Sequence, residues 1–324
     1  MNNIEYPYYN LYYKFNKKQF LKLARNYKPI IFNKIPHDLK KFKIEKFNDT
    51  YLIIKENYIK TLDINNITDY FSEKIRIQCK FGNFIEPLKY WNENKKNIIR
   101  EAKLINKSKV KLDNNHDEYY REIIFNMREI IYKNTKLCSN FRITMATTIL
   151  KHFAVKRWLD ISAGWGDRLI SAIIHKVDKY TACDPNLDLH QCYQNIMETF
   201  LSKTEMKKYK IYKNGFLEAP IPQNEKYDIV FTSPPFFTLE IYSKFPENSV
   251  TKYSSELDWI NYFLIPSLIK AYKHLDKGGH IVLYMGGSDT VIKAMYNKLN
   301  SMMTYKGVIY FYEKAPRGIS VWQK

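Results

Sequence analysis

Glycines and acidic residues suited to a nucleoside cofactor follow two predicted strands in the second half of the sequence. Residues 158–168 read Trp-Leu-Asp-Ile-Ser-Ala-Gly-Trp-Gly-Asp-Arg, so a strand ending at Asp160 leads through Gly164 and Gly166 into a helix. Glycines let the backbone of such a loop approach a ligand and leave the N-terminus of the helix open to it. The next predicted strand ends at Asp184, where a carboxylate can accept hydrogen bonds from both ribose hydroxyls. The spacing therefore predicts a nucleoside cofactor at this loop.

The loop also distinguishes between nucleoside cofactors. The NAD fingerprint G-x-G-x-x-G requires a third glycine where this sequence has Leu169, and the carboxylate of Asp160 suits a cationic ligand better than two phosphates. The D-x-x-x-G-x-G pattern resembles the first motif of class I methyltransferases that use S-adenosylmethionine (SAM), which carries an ammonium and a sulfonium. The resemblance implies SAM contacts from Asp160, Ser162, Gly164, Trp165, Gly166 and Asp184. By the same resemblance, Phe141 before the first strand and Phe216 after the third also contact SAM.

A second motif follows the fourth predicted strand of this region. Residues 227–237 read Tyr-Asp-Ile-Val-Phe-Thr-Ser-Pro-Pro-Phe-Phe. Two successive prolines fix φ, remove two N–H donors and hold the chain extended, which leaves a rigid ledge of carbonyl acceptors. This ledge suits a planar group with an exocyclic amine, because the carbonyls and the Ser233 hydroxyl can accept N–H bonds while Phe236 stacks on the ring.

The ledge resembles the (Asp/Asn/Ser)-Pro-Pro-(Tyr/Phe/Trp) motif of amino-methyltransferases that modify adenine N6, cytosine N4 or guanine N2. The resemblance implies that Ser233 orients the target amine with Pro234, Pro235 and Phe236 as further catalytic residues, and that Phe237 contacts the substrate. We therefore expect methyl transfer to an exocyclic amine of a nucleic acid base, with DNA favoured over RNA. A protein glutamine N-methyltransferase, whose motif is usually Asn-Pro-Pro-Tyr, is one alternative. A non-catalytic nucleic-acid-binding subunit with the same fold is the other.

Strands and helices alternate from residue 155 to the end of the sequence. Predicted strands cover residues 155–161, 179–184, 209–212, 227–232, 280–285, 305–312 and 319–323, and predicted helices cover residues 168–175, 187–201, 254–275 and 290–300. Such alternation predicts a mainly parallel sheet with helices on both faces. With the resemblance above, the expected fold is α/β, with a Rossmann-like seven-stranded class I methyltransferase sheet and a basic N-terminal α+β extension.

Charge and glycine content divide the sequence into two parts. Of the net charge of +19, residues 1–150 carry +13, whereas nine of the ten glycines lie in residues 164–318. Residues 106–118 show no periodicity and place a boundary near residue 115. We therefore expect a basic substrate-recognition region over 1–115 and a SAM-dependent methyltransferase domain over 116–324.

One segment of the basic part alternates apolar with polar side chains. Residues 75–81 read Ile-Arg-Ile-Gln-Cys-Lys-Phe, which predicts a half-buried strand whose outer face carries Arg76, Gln78 and Lys80. We expect these three residues to bind the substrate. The charge itself indicates a polyanionic partner such as DNA or RNA. However, 43 lysines against 9 arginines also fit a codon bias toward AT-rich codons.

Composition excludes several classes of protein. Apolar residues make up 45% and charged residues 26%, as in globular proteins rather than disordered ones. The four cysteines form no C-x-x-C pair and the seven histidines show no metal-ligand spacing, so neither a disulfide framework nor a metal site is expected. We see no secretory signal or membrane span and expect a protein of the cytoplasm or nucleus. Residues 67–91 and the run GWGDRL followed by SPPFF also resemble small methyltransferases of phages and large DNA viruses.

Overall fold

The computed structural model describes residues 4–56, 58–109, 116–242, 246–312 and 318–324. Its strands are β1 (Ile30–Phe32), β2 (Leu52–Lys55), β3 (Lys80–Phe81), β4 (Arg157–Asp160), β5 (Lys179–Cys183), β6 (Tyr209–Tyr212), β7 (Tyr227–Thr232), β8 (Glu240–Ile241), β9 (Leu275–Leu283), β10 (Thr304–Phe311) and β11 (Gly318–Gln323). In the described part of the chain, nine of these strands form one sheet, in the order β1-β2-β10-β11-β9-β7-β4-β5-β6. The short strands β3 and β8 pair separately.

The main sheet is parallel through its centre. β4 pairs with β5 and β7, β5 pairs with β6, and β7 pairs with β9, all in parallel register. β11 runs antiparallel to both β9 and β10. The expected α/β class with a Rossmann-like, mainly parallel sheet is therefore confirmed. The sheet has two strands more than expected, because β2 pairs with the outer edge of β10 and β1 pairs with β2.

The helices are α1 (Tyr9–Tyr12), α2 (Lys17–Asn26), α3 (Tyr58–Asn65), α4 (Asp69–Arg76), α5 (Pro87–Lys109), α6 (His116–Asn134), α7 (Ile143–His152), α8 (Asp167–His175), α9 (Leu187–Phe200), α10 (Lys203–Met206), α11 (Ser249–Lys252), α12 (Glu256–Trp259), α13 (Ile265–Lys273) and α14 (Asp289–Asn300). A 3-10 turn covers His37–Leu39. A π-helical turn at Ile260–Leu264 joins α12 to α13, so the helix predicted over 254–275 is present with one wide turn inside it.

Helices cover both faces of the sheet. Trp158 and Leu159 follow each other on β4 and therefore point to opposite faces. Both side chains are fully buried. Trp158 belongs to a core cluster with Ile149 of α7 and Leu169 of α8, whereas Leu159 belongs to a second cluster with Leu268 of α13. Burial on both faces explains why the central strands read as apolar runs rather than as alternating patterns.

The two parts predicted from charge and glycine content share this sheet. β1 and β2 come from the basic N-terminal part and extend the sheet beyond β10. Helices α5 and α6 contact each other on either side of the predicted boundary, around a third core cluster that includes Trp91, Ile98 and Ile123. Residues 110–115 lie outside the described residues, and the boundary near residue 115 stays a prediction.

The strand predicted over residues 75–81 is wrong for most of its length. α4 ends at Arg76, a turn follows, and only Lys80 and Phe81 form a strand, which pairs with β8. Asp69 and Arg76 lie seven residues apart, so two helical turns place them on one face, where they form a buried ion pair. The alternating pattern failed here because Arg76 is held inside the fold by this partner rather than facing solvent.

Candidate active site

A cavity of about 400 Å³ opens where the parallel strands end. Its walls come from the segments that follow β4, β5, β6, β7 and β9, which is where ligands bind in open α/β sheets. Among the residues predicted for the site, those that line this cavity are Phe141, Ser162, Gly164, Trp165, Asp184, Phe216, Ser233, Pro235 and Phe236. The fold thus brings the glycine loop and the Pro-Pro ledge, about 70 residues apart in sequence, to a single cavity.

The glycine loop depends on its glycines at two positions. Gly164 and Gly166 have φ values of +63° and +102°, in the left-handed region that favours glycine. A Cβ atom at Gly166 would lie 2.6 Å from Cδ1 of Ile196, so this glycine also allows α9 to approach the loop. The Nε1–H of Trp165 donates to the carbonyl oxygen of Ser139 over 3.1 Å and ties the loop to the segment before α7.

Asp184 follows β5 and presents a carboxylate to the cavity. Its two oxygens accept hydrogen bonds from the backbone N–H of Gly164 at 2.9 Å and of Asn186 at 3.0 Å. Burial raises the pKa of this carboxyl above its usual range. Each carboxylate oxygen can accept more than one hydrogen bond, so the group can also accept bonds from ligand hydroxyls.

Asp160 does not line the cavity, contrary to its predicted contact with the cofactor. Its side chain is fully buried at the end of β4. The carboxylate accepts hydrogen bonds from Nε of Arg168 at 2.8 Å, from the Tyr180 hydroxyl at 3.0 Å and from the Thr232 hydroxyl at 2.8 Å. Because Arg168 also bonds the carbonyl oxygen of Ser162, Asp160 and Arg168 together hold the loop in place.

The ledge is fixed to the glycine loop by one hydroxyl. Thr232 donates its only hydroxyl proton to Asp160, so Oγ1 of Thr232 can only accept a hydrogen bond from the Ser162 hydroxyl. It lies 2.9 Å from Oγ1 of Thr232 and 3.0 Å from the carbonyl oxygen of Ser233. Phe236 lies against Gly286, where an added Cβ would be 3.5 Å from the ring, so the loop after β9 supports the ledge.

Several other predicted site residues do not line the cavity. The residues outside its lining, besides Asp160, are Arg76, Gln78, Lys80, Gly166, Pro234 and Phe237. Phe237 is half-buried, and its ring packs 6.1 Å from that of Trp259 against the second core cluster, so its predicted contact with the substrate stays a prediction. Pro234, the first proline of the ledge, is buried.

The predicted basic strand face does not form either. Arg76 is 5% exposed and donates from Nη1 to the carbonyl oxygen of Cys138 at 3.2 Å, so its predicted contact with the substrate is wrong. Gln78 is exposed and its amide donates to the carbonyl oxygen of Lys74. On β3, Phe81 lines the cavity, and the alternation of side chains along a strand turns Lys80 away from it.

Parts of the cavity wall were not predicted from the sequence. Tyr284 follows β9 and lines the cavity between Phe141 and Phe236, with ring centroids 5.7 and 6.2 Å away. Its place at the carboxyl end of a parallel strand is a signal that could have found it. Lys270 of α13 donates to the carbonyl oxygens of Phe216 at 2.7 Å and of Ala219 at 2.9 Å, and so holds the loop after β6.

Carboxylates outnumber cationic side chains in the described wall of the cavity. The acidic residues are Asp167, Asp184, Glu218, Glu240 and Glu247, and the basic residues are Arg142, Arg168 and Lys252. Each basic residue has an acidic partner: Arg142 pairs with Glu56, Arg168 with Asp160, and Lys252 with both Glu218 and Glu247. The cavity therefore favours a ligand that carries positive charge.

Within the described ranges, no group of three or more His, Cys, Asp and Glu side chains is placed to hold a metal ion. Over the same residues, no helix combines the length and the apolar character needed to cross a membrane.

Comparisons with known proteins give distant likenesses only. No protein-family model and no curated protein matches this sequence. The N-methyltransferase NodS from Bradyrhizobium japonicum WM9 is 12% identical with a TM-score of 0.39, over 56% of this chain and 93% of that one. A methyltransferase from Pyrococcus furiosus is 16% identical with a TM-score of 0.40, over 71% and 98%. A protein from Streptococcus mutans, solved in complex with SAH, is 13% identical with a TM-score of 0.40, over 58% and 99%. Likeness at this level does not assign an activity to this chain.

Proposed function

We propose that this protein is a SAM-dependent methyltransferase that acts on an exocyclic amine of a nucleic acid base. The observation that carries the proposal is the bond from Ser162 to the Ser233 carbonyl, because it joins the glycine loop and the ledge within one cavity. A cofactor on the loop and an amine on the ledge would then be neighbours. Methyl transfer requires this arrangement of donor and acceptor.

The residues present fit SAM. Asp184 offers a carboxylate that can accept from two ribose hydroxyls, and Phe216 and Leu189 supply apolar surface nearby for an adenine ring. The excess of carboxylates in the wall suits a cationic ligand, and about 400 Å³ is in the range of small-molecule sites. When bound, SAM supplies an electrophilic methyl group on its sulfonium.

The ledge residues would activate the amine by position and electrostatics. An exocyclic amine is a weak nucleophile, because its lone pair is delocalised into the ring. The Ser233 hydroxyl can accept one of its N–H bonds, which favours a tetrahedral nitrogen with its lone pair directed at the methyl group. The proton can leave after transfer, so no strong general base is needed. Phe236 would hold the plane of the ring by stacking.

A nucleic acid substrate is supported by charge. The chain carries +19, and Lys contacts to phosphates would give affinity that depends on salt rather than on base sequence. A base paired in a duplex could not reach the ledge without leaving the stack, so a duplex substrate requires base flipping. DNA rather than RNA, and a viral origin, stay predictions.

Two measurements test the proposal. Isothermal titration with SAM should show binding that Asp184→Asn weakens and that Asp188→Asn, an exposed matched change on α9, does not. Transfer of a tritiated methyl group to pools of DNA, RNA and protein should label nucleic acid, and Ser233→Ala should lower kcat roughly 10- to 100-fold while SAM still binds. Absence of SAM binding at millimolar ligand would overturn the proposal. Labelling of protein alone, or binding without any transfer, would favour one of the two alternatives.

A further inference from the structure

Two aromatic rings and a lysine lie together at the entrance of the cavity. Phe81 of β3 lines the cavity, and a turn in which the Phe84 N–H donates to the Phe81 carbonyl oxygen at 3.0 Å brings Phe84 beside it. The Phe84 side chain is 48% exposed. Nζ of Lys136 lies 3.9 Å from the ring centroid of Phe81 and 5.7 Å from that of Phe84. We call Phe81, Phe84 and Lys136 the rim cluster.

Backbone bonds to residues 239–241 hold the β3 part of the rim cluster. β3 pairs with β8, and the N–H of Gly82 donates to the carbonyl oxygen of Leu239 at 2.8 Å. Lys136 is exposed and lies three residues before Ser139, which also lines the cavity. The exposed ring of Phe84 therefore stands on a turn whose backbone is anchored beside the cavity wall.

Charge changes sign between the cavity and its rim. Inside, Asp184, Glu240 and the other wall carboxylates exceed the cationic groups, so a phosphate would be repelled. At the rim, the ammonium of Lys136 is exposed over aromatic surface. A nucleic acid strand is compatible with this charge distribution when one base enters the negatively charged cavity and its flanking phosphate stays outside, at the positively charged rim.

We propose that the rim cluster binds the nucleotide next to the target, with its base stacked on Phe84 and its phosphate paired with Lys136. This inference rests on the proposed function and adds the position where the substrate strand crosses the edge of the cavity. Stacking on an exposed ring needs an unpaired base, and aromatic platforms beside lysines are how single strands are bound without sequence readout. The rim cluster therefore selects a single-stranded or locally opened substrate.

The test measures binding of a fluorescein-labelled 12-nucleotide single strand of mixed sequence, as DNA and as RNA, by fluorescence anisotropy. Phe84→Ala should weaken binding roughly 5- to 100-fold, and Phe84→Trp should restore it, whereas Phe84→Leu should not. Lys136→Ala should weaken binding and lower the salt slope by about one. The matched controls are Phe125→Ala, a similarly exposed ring on α6, and Lys277→Ala, at the opposite end of the sheet strands from the cavity.

The outcomes separate this inference from the proposed function. Titration with SAM should give the same affinity in the wild type and in every rim variant. If the wild type binds SAM and methylates nucleic acid while Phe84→Ala and Lys136→Ala bind both strands normally, the rim inference is wrong and the proposed function stands. If Phe84→Leu binds as tightly as the wild type, stacking is excluded. If the wild type binds no SAM, the proposed function itself has failed.

Discussion

The hydroxyl of Ser162 lies 3.0 Å from the carbonyl oxygen of Ser233, and through it the glycine loop is bonded to the Pro-Pro ledge. Ser162 stands two residues after β4, and Ser233 follows the last residue of β7. Because β4 and β7 are parallel neighbours, their carboxyl ends meet at the same edge of the sheet. A displacement of either motif is therefore transmitted to the other.

Replacing Ser162 should affect turnover more than cofactor binding. In Ser162→Ala the ledge loses a partly buried bond to its carbonyl, and the target amine would lose its fixed distance to the cofactor. We expect kcat to fall about tenfold or more, with the dissociation constant for SAM changed by less than about threefold. Kinetics with saturating SAM, together with titration calorimetry, measure both quantities.

Ser171→Ala is the matched control for this prediction. Ser171 is fully buried on α8, and its hydroxyl donates to the carbonyl oxygen of Asp167 at 2.8 Å. The change removes a buried hydroxyl without touching the ledge, and kcat should stay near the wild-type value. Equal losses in kcat for Ser162→Ala and Ser171→Ala would mean that the Ser162 bond has no special effect on the ledge.

Gly166→Ala should lower the free energy of unfolding by more than the strain of placing alanine at a positive φ, because the added methyl group would also clash with a neighbouring side chain. The added Cβ would lie 2.6 Å from Cδ1 of Ile196, and φ is +102°. Gly82→Ala is the comparison, because Gly82 has φ of +52° but nothing within 4 Å of the added atom. Gly82→Ala should cost about 1–2 kcal/mol in the free energy of unfolding, and Gly166→Ala more than that. Urea unfolding measures the difference, and equal costs would contradict the close approach of α9.

Replacing Arg76 should lower the stability of the fold and leave the affinity for nucleic acid unchanged. Its guanidinium pairs with Asp69, and both side chains are less than a tenth exposed. Arg76→Ala leaves a buried carboxylate with a weaker partner, Arg128 at 3.6 Å, and should lower the free energy of unfolding by about 3 kcal/mol. The exposed control Gln78→Ala should stay within about 0.5 kcal/mol of the wild type. A folded, fully stable Arg76→Ala protein that binds nucleic acid weakly would restore the original prediction for this residue.

Asp167 should make stability depend on pH. Burial raises the pKa of its carboxyl to about 7, while Arg76 and Arg168 lower it and Asp69 raises it. A raised folded-state pKa means that the folded protein holds a proton that the unfolded chain releases from near pH 4 upward. Its contribution to stability therefore falls as pH rises from about 4 to 7 and is constant above that range.

Asp167→Asn removes this titration. The gain in unfolding free energy of the variant over the wild type should grow between about pH 4 and 7, reach a few kcal/mol, and then level off. Chemical unfolding at several pH values measures this difference in free energy. The contributions of other titrating groups cancel, because both proteins contain them. Asp188→Asn, on an exposed position of α9, should show a difference that is flat with pH. A flat difference for Asp167→Asn as well would contradict the raised pKa.

The sequence by itself determined the elements and motifs of the C-terminal part. β-rich apolar runs separated by helical patterns located β4, β5, β6, β7, β10 and β11 to within about two residues, because the local patterns there agree with burial on both faces of one sheet. β9 begins five residues before its predicted start, and the short strand β8 was not predicted. The glycine loop and the Ser-Pro-Pro-Phe ledge were visible for a similar reason. Glycine at positive φ and successive prolines have conformational consequences that depend little on distant contacts.

Only the tertiary structure decided which charged residues reach the cavity. Asp160 and Arg76 are buried in ion pairs with Arg168 and Asp69, whereas Asp184 keeps its carboxylate at the wall. A sequence shows that a side chain is charged but not whether a partner from another element neutralises it. For the same reason it could not show that β2 would extend the sheet beside β10, or that β3 would pair with β8 and place Phe81 at the entrance of the cavity. These contacts join residues far apart in the chain, and only folding brings them together.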